Sequence, residues 1–134
     1  MNTSDQRVVG KRVVRKDSVP KVMGEAIYAG DIKMPGMLYG KALRSSYPHA
    51  RILSIDTSAA EAIPGVRAVV TAKDLPGINR FGLAILDQEV LASEKVRMMG
   101  DSVAFVAAES AEICEEAVRA IKVDYEELPA VFTV

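Results

Sequence analysis

The sequence predicts one α/β (α+β) domain in which helices pack on a mixed sheet. Three observations lead to this fold class. Apolar, β-branched runs alternate along the chain with capped segments of helical period. Hydrophobic residues make up 49% and charged residues 26% of the composition, as is typical of globular proteins. The length of 134 residues suits a single domain with a real core. We therefore expect one domain over 1–134, with a polar leader over about 1–9 and the folded part over about 10–134.

The first half of the chain predicts three strands and a short helix. Residues 37–44 and 50–56 are strand-like, and Pro48 marks a turn between them. Oxygens of residues 56–58 can cap a helix over 59–63, which Pro64 and Gly65 end. The apolar run 66–71 then predicts a strand that completes a strand–helix–strand unit.

The second half predicts an irregular segment followed by strands and one long helix. Residues 72–89 hold two glycines, a proline and an asparagine, which predict a loop. Short strands follow at 90–92 and 95–97, and the continuous apolar run 103–108 is typical of a central buried strand. Ser110 can cap a helix that reaches about residue 121. A last strand starts at 123, and Pro129 closes it.

Composition and charge exclude several classes of function. The chain has 17 Lys and Arg against 18 Asp and Glu, so we expect no nucleic-acid or membrane partner. A single cysteine and a single histidine cannot form an intrachain disulfide or a usual structural zinc site. No secretory signal or long apolar run is visible, so we expect a cytoplasmic protein.

Few residues could carry chemistry, and each has a simpler interpretation. His49 follows Ser45 and Ser46, but no nucleophile elbow is present and a turn is favoured. Cys114 lies on the apolar stripe of the last helix, which favours a core thiol over a nucleophile. Paired carboxylates at residues 124, 126 and 127 could bind a cation, but a solvated strand edge is favoured.

Two further features remain. Met98 and Met99 are interpreted as packing or turn residues rather than metal thioethers, and no glycine spacing matches a phosphate-binding loop. The apolar segment 81–86 either folds onto the domain's own core or faces another surface. The residues by themselves leave these two possibilities open.

Residues 24–32, 35–44 and 47–52 together resemble a known family signature. They are similar to the N-terminal α/β hammerhead domain of the molybdenum-binding large subunit of the xanthine dehydrogenase and aldehyde oxidase family. The resemblance continues to residue 130, and the stop soon afterwards suggests a fragment of a longer chain. It implies a parent oxidoreductase that hydroxylates purines, aldehydes or N-heterocycles. It also implies a molybdenum–molybdopterin dinucleotide in the parent, with 2Fe-2S and FAD on partner subunits or domains.

The resemblance places the catalytic machinery outside these residues. The family's catalytic glutamate and its pterin-binding motifs belong to later domains, so we expect no catalytic, cofactor-binding or metal-binding residue here and an inactive fragment. The loop before residue 90 resembles the family segment that lines the approach to molybdenum. It implies a substrate-channel role for Leu83, Ile85 and Leu86.

Three hypotheses about function follow. The first is a non-catalytic structural domain of a molybdenum hydroxylase, packed against the molybdenum-binding domains and contributing a loop to the substrate channel. Its partners would be the remainder of the molybdenum-binding subunit and the iron–sulfur and flavin subunits. The alternative is a free-standing interaction or assembly module without a parent enzyme. The third is a small metal enzyme that uses the acidic residues at 124–127.

Overall fold

The computed structural model describes Gly10 and residues 12–133. The chain divides into two compact units, Met1–Pro35 and Gly36–Val134. The expectation of one domain over the whole chain stays a prediction.

The first unit takes its local structure from hydrogen bonds between near neighbours. Helix α1 (Ser18–Met23) ends at Gly24, and the Glu25 amide donates to the carbonyl of Pro20 at 2.8 Å. In the 3₁₀ turn Ala29–Asp31, the Asp31 carboxylate accepts the Tyr28 amide at 3.0 Å. None of the described residues of this unit is buried. The helix and the 3₁₀ turn of this unit are therefore stabilised by local hydrogen bonds rather than by packing in a hydrophobic core.

The second unit contains two three-stranded sheets, and every described pairing is antiparallel. The first sheet has the order β1-β5-β3, with β1 Tyr39–Arg44, β3 Val66–Thr71 and β5 Ser102–Ala108. The second sheet has the order β4-β2-β6, with β2 Ala50–Asp56, β4 Lys95–Val96 and β6 Lys122–Glu127. Two helices complete the unit, α2 Ser58–Glu61 and α3 Ala111–Ala120.

The α/β class is confirmed, but the sheet differs from the prediction. The single mixed sheet is replaced by two antiparallel ones, and the strand–helix–strand segment sends β2 and β3 to different sheets. The connection between them, residues 57–65, is shorter than the dozen or more residues that a parallel crossover needs. Between β2 and β3 the chain therefore passes from the second sheet to the first, instead of returning to the same sheet as a parallel strand.

The main core lies between β5 and α3, as the sequence predicts. Ala104, Val106 and Ala108 on β5 are fully buried beneath the Cys114 and Ala117 side of the helix. The cap is also confirmed. The hydroxyl of Ser110 accepts the amide of Ile113 at 3.3 Å and so satisfies one free N–H of the first turn.

A second core joins the second sheet to the start of β5. Ala50, Ala92, Val96 and Val103 are buried there. The predicted strand at 90–92 is wrong, although Leu91 and Ala92 are buried. The Asn79 side chain binds the backbone of Val90 and Leu91, so those groups are not free to pair with a strand. The next strand ends at Val96 because the Asp101 carboxylate takes the Arg97 amide at 2.7 Å.

Candidate functional site

The candidate site is the loop that joins β3 to β4, here called the 75–94 loop. It follows a 3₁₀ turn, Ala72–Asp74, that is fixed by its own carboxylate. The amide and hydroxyl of Thr71 donate to Asp74 at 2.8 and 2.7 Å. These donors hold the pKa of the Asp74 carboxyl below its usual value. The loop therefore leaves the first sheet in a defined direction.

The base of the 75–94 loop is closed by the side chain of Asn79. Its amide donates to the Leu91 carbonyl at 2.6 Å, and its oxygen accepts the amides of Val90 and Leu91 at 3.1 and 3.0 Å. Leu91 is only 5% exposed, so its backbone groups have little access to water. One side chain therefore ties the two ends of the loop together.

The tip of the loop is closed a second time, by backbone contacts. Phe81 and Gln88 exchange two amide–carbonyl hydrogen bonds of 2.8 and 3.2 Å, which leaves residues 82–87 as a narrow tip. A Cβ on Gly82 would lie 1.8 Å from the carbonyl oxygen of Ile85. Only glycine permits this close approach of the two backbones.

The three residues predicted to line a channel all lie in this tip. Leu83 is fully exposed, Ile85 is 70% exposed and Leu86 is 61% exposed. Leu83 and Ile85 line an open groove of about 570 Å³ beside the tip, here called the tip groove, and Leu86 is not among its lining residues. The structure thus brings Leu83 and Ile85 together at one groove, which Leu86 does not line.

Two cationic side chains that the sequence analysis did not single out also line the tip groove. They are Lys95 on β4 and Arg97 immediately after it. Neither forms an ion pair within the part of the chain that the structure describes. The Asp101 carboxylate in the same groove accepts the backbone amides of Arg97 and Met98 instead. The groove therefore combines an apolar wall with charges of both signs, since Asp87 and Glu89 line it as well.

The other residues considered for chemistry have structural partners. The ring Nδ1 of His49 bonds the Pro129 carbonyl at 2.8 Å, and the Ser45 hydroxyl is engaged with the backbone of Tyr47 at 3.0 and 3.1 Å. Cys114 is buried, and its thiol donates to the Tyr39 carbonyl at 3.2 Å. These contacts confirm that His49 belongs to a turn and that Cys114 is a core thiol.

The carboxylates of β6 are exposed on the edge of the second sheet, as the sequence predicts. Asp124 accepts the Ser54 hydroxyl at 2.6 Å, and Glu126 pairs with Arg51 at 2.5 Å. Among residues 10 and 12–133, no group of three or more His, Cys, Asp or Glu is placed to hold a metal ion.

Met98 and Met99 are exposed beside the turn at Gly100. No helix within the described residues is long and apolar enough to cross a membrane.

Comparison with known proteins gives a consistent result. Residues 23–129 match the family model described as "Aldehyde oxidase and xanthine dehydrogenase, a/b hammerhead domain". The chain is 56% identical over 115 residues to a probable xanthine dehydrogenase subunit of Bacillus subtilis, covering 86% of this chain and 15% of that protein. It is 49% identical over 129 residues to the nicotinate dehydrogenase large molybdopterin subunit of Eubacterium barkeri, covering 96% of this chain and 30% of that protein.

Solved structures show the same relationship. The Cu,Mo-CO dehydrogenase crystal structure superposes with a TM-score of 0.84 at 44% identity, covering 90% of this chain and 16% of that one. The aldehyde oxidoreductase of Desulfovibrio desulfuricans ATCC 27774 gives a TM-score of 0.88 at 32% identity, covering 94% of this chain and 15% of that one. The chain thus spans only a small part of the length of its relatives.

Proposed function

Because the chain belongs to the family of aldehyde oxidase and xanthine dehydrogenase a/b hammerhead domains, we propose that it is a non-catalytic structural domain of a molybdenum hydroxylase. In this role it packs against the molybdenum-binding domains of a large subunit. Its 75–94 loop contributes side chains to the substrate channel. The cytoplasmic location expected from the sequence stays a prediction.

The described residues offer no cluster of side chains that could hold the metal of the molybdenum cofactor. The one thiol, Cys114, is buried and donates to a backbone carbonyl, and the metal-ligand side chains of the described residues do not cluster. We therefore assign the cofactor to the remainder of the large subunit. When bound there, it supplies the redox chemistry of hydroxylation. The 2Fe-2S and flavin centres belong, in this proposal, to partner subunits or domains.

The channel role rests on one observation, the exposed apolar tip on a base that is closed by hydrogen bonds. Leu83 and Ile85 lie beyond the two closures at Asn79 and at Phe81, where covering them would remove apolar surface from water. An aromatic or aldehyde substrate that passes the tip would cover part of this surface and exclude water from it. Each buried methylene-sized contact contributes about 0.8 kcal/mol. The tip can thus favour apolar substrates without taking part in the reaction.

The experiment replaces Ile85 with glutamate in the full-length enzyme. We expect the KM for an uncharged aromatic substrate to rise roughly tenfold, which corresponds to about 1.4 kcal/mol of lost contact and added charge. Molybdenum content should stay unchanged, because residue 85 lies at an exposed tip and not in a core. Steady-state kinetics with metal analysis of the same preparation measure both quantities.

The matched control is Ile78→Glu. Ile78 is 83% exposed in the same loop but does not line the tip groove. Its variant should keep the wild-type KM. Unchanged kinetics across single substitutions of Leu83, Ile85 and Leu86 would remove the channel role and leave the structural role intact.

A further inference from the structure

The central strand β5 is apolar on both faces, but the second unit covers only one of them fully. The side that carries Ala104, Val106 and Ala108 is completely buried under α3. On the opposite side Val103 is buried, whereas Phe105 is 41% exposed and Ala107 is half-buried. A sheet with one solvated face normally alternates apolar and polar residues. The run in β5 therefore lacks the polar residues that are typical of a solvated face.

Neighbouring strands extend this open surface on either side of Phe105. Strand pairing places Ala42 and Val70 opposite Phe105, and Gly40 and Ala68 opposite Ala107. The surface, here called the open sheet face, consists of six residues, namely Gly40, Ala42, Ala68, Val70, Phe105 and Ala107. None of them is polar or charged, in a chain with 26% charged residues.

The open sheet face is also flat enough to accept a closely packed layer. A Cβ on Gly40 would lie 2.4 Å from the ring atom Cζ of Phe105, so the aromatic ring lies over the glycine. Five of the six residues are no larger than valine. Small residues around a single flat ring allow another element to approach to the usual layer spacing of about 10 Å.

The size of this face argues against a second copy of the chain as its partner. Six residues at strand spacing offer roughly 200 Å², whereas a stable protein–protein interface needs about 800 Å² from each partner. A layer on the same polypeptide needs no such area, because covalent linkage supplies the effective concentration. The relatives place this domain within chains of which it forms 15–16% in two solved structures.

We propose that the open sheet face is covered by an apolar element from the remainder of the same large-subunit polypeptide. This inference rests on the proposed function and deepens it by naming the surface through which the domain docks. The covering layer makes the first sheet the middle of three layers. It also fixes the sheet from which the 75–94 loop extends, since β3 contributes both Ala68 and the start of that loop.

The test is cysteine labelling of the Ala68→Cys variant in the full-length holoenzyme. Ala68 is exposed on an edge strand of this unit, so the substitution leaves the fold intact. We expect the new thiol to react with a maleimide about 100-fold more slowly in the native enzyme than after denaturation. The unsubstituted enzyme, with Cys114 buried, gives the background rate. A second variant, Ala68→Glu, should reduce the amount of assembled enzyme, whereas Ala68→Ser should not.

Each outcome decides the inference. Rapid native labelling of Ala68→Cys in enzyme that is fully loaded with molybdenum would overturn it and leave the proposed function standing. Protection that disappears on dilution to a monomer would assign the face to a second copy and would also overturn it. Protection that persists in the monomeric large subunit, separated from its partner subunits, supports the inference, whereas protection that is lost on this separation would overturn it. Persistent protection in an enzyme without hydroxylase activity would leave the inference standing while the proposed function fails.

Discussion

Replacing Asn79 with alanine is expected to release the 75–94 loop while the two sheets remain folded. The substitution removes three hydrogen bonds, each of which contributes about 0.5–1.5 kcal/mol, and leaves the backbone groups of buried Leu91 without partners. We expect a loss of about 2–4 kcal/mol of local stability. Limited proteolysis of the full-length enzyme should then cut within residues 80–90 roughly tenfold faster or more.

The Asn79→Asp variant provides a graded control. Aspartate keeps the oxygen that accepts the amides of Val90 and Leu91 but cannot donate to the Leu91 carbonyl. Its proteolysis rate should lie between those of the wild type and the alanine variant. Cleavage of the alanine variant at the wild-type rate would show that Asn79 does not hold the loop.

Replacing Val106 with aspartate should unfold the second unit. Val106 is fully buried at the centre of β5, and the cation on the opposite strand, Lys41, is already paired with Glu115. An uncompensated buried charge costs about 3–5 kcal/mol, a large fraction of the stability of a typical domain. Denaturant unfolding of the 134-residue chain, followed by circular dichroism, should show no cooperative transition.

Two control substitutions separate the effect of burying a charge from the loss of methyl groups and from the change of valine to aspartate as such. Val106→Ala removes methyl groups without adding charge and should cost about 2 kcal/mol. Val131→Asp makes the same chemical change at a position that is 87% exposed and should leave the transition near its wild-type midpoint. A cooperative transition of normal size in Val106→Asp would mean that β5 is not the centre of the core.

Most of the second unit could be predicted from local patterns in the sequence. The strand at 103–108 and the capped helix after Ser110 are confirmed, because burial and capping each leave a residue pattern. The family resemblance is likewise confirmed. The sheet pairing was not predictable in the same way, since it joins strands that are distant in the chain, as β1 and β3 are from β5.

The candidate site was less predictable because its geometry depends on contacts between distant residues. Asn79 looked like an ordinary loop residue, and only its bonds to residues 90 and 91 show why the predicted strand there does not form. The apolar tip was visible in the sequence, but the groove that Leu83 and Ile85 line was not. Lys95 and Arg97 were missed because nearby charges in a short strand carry no periodic signal.

The most direct measurement is the molybdenum and pterin content, with dye-linked turnover of aldehydes and purines, of the 134-residue chain beside the full-length large subunit. We predict that the full-length subunit in its complex carries molybdenum and pterin and oxidises at least one substrate. The 134-residue chain should carry neither cofactor and show no turnover. Bound molybdopterin or turnover in the short chain would contradict the assignment of a supporting domain, as would a full-length subunit without molybdenum.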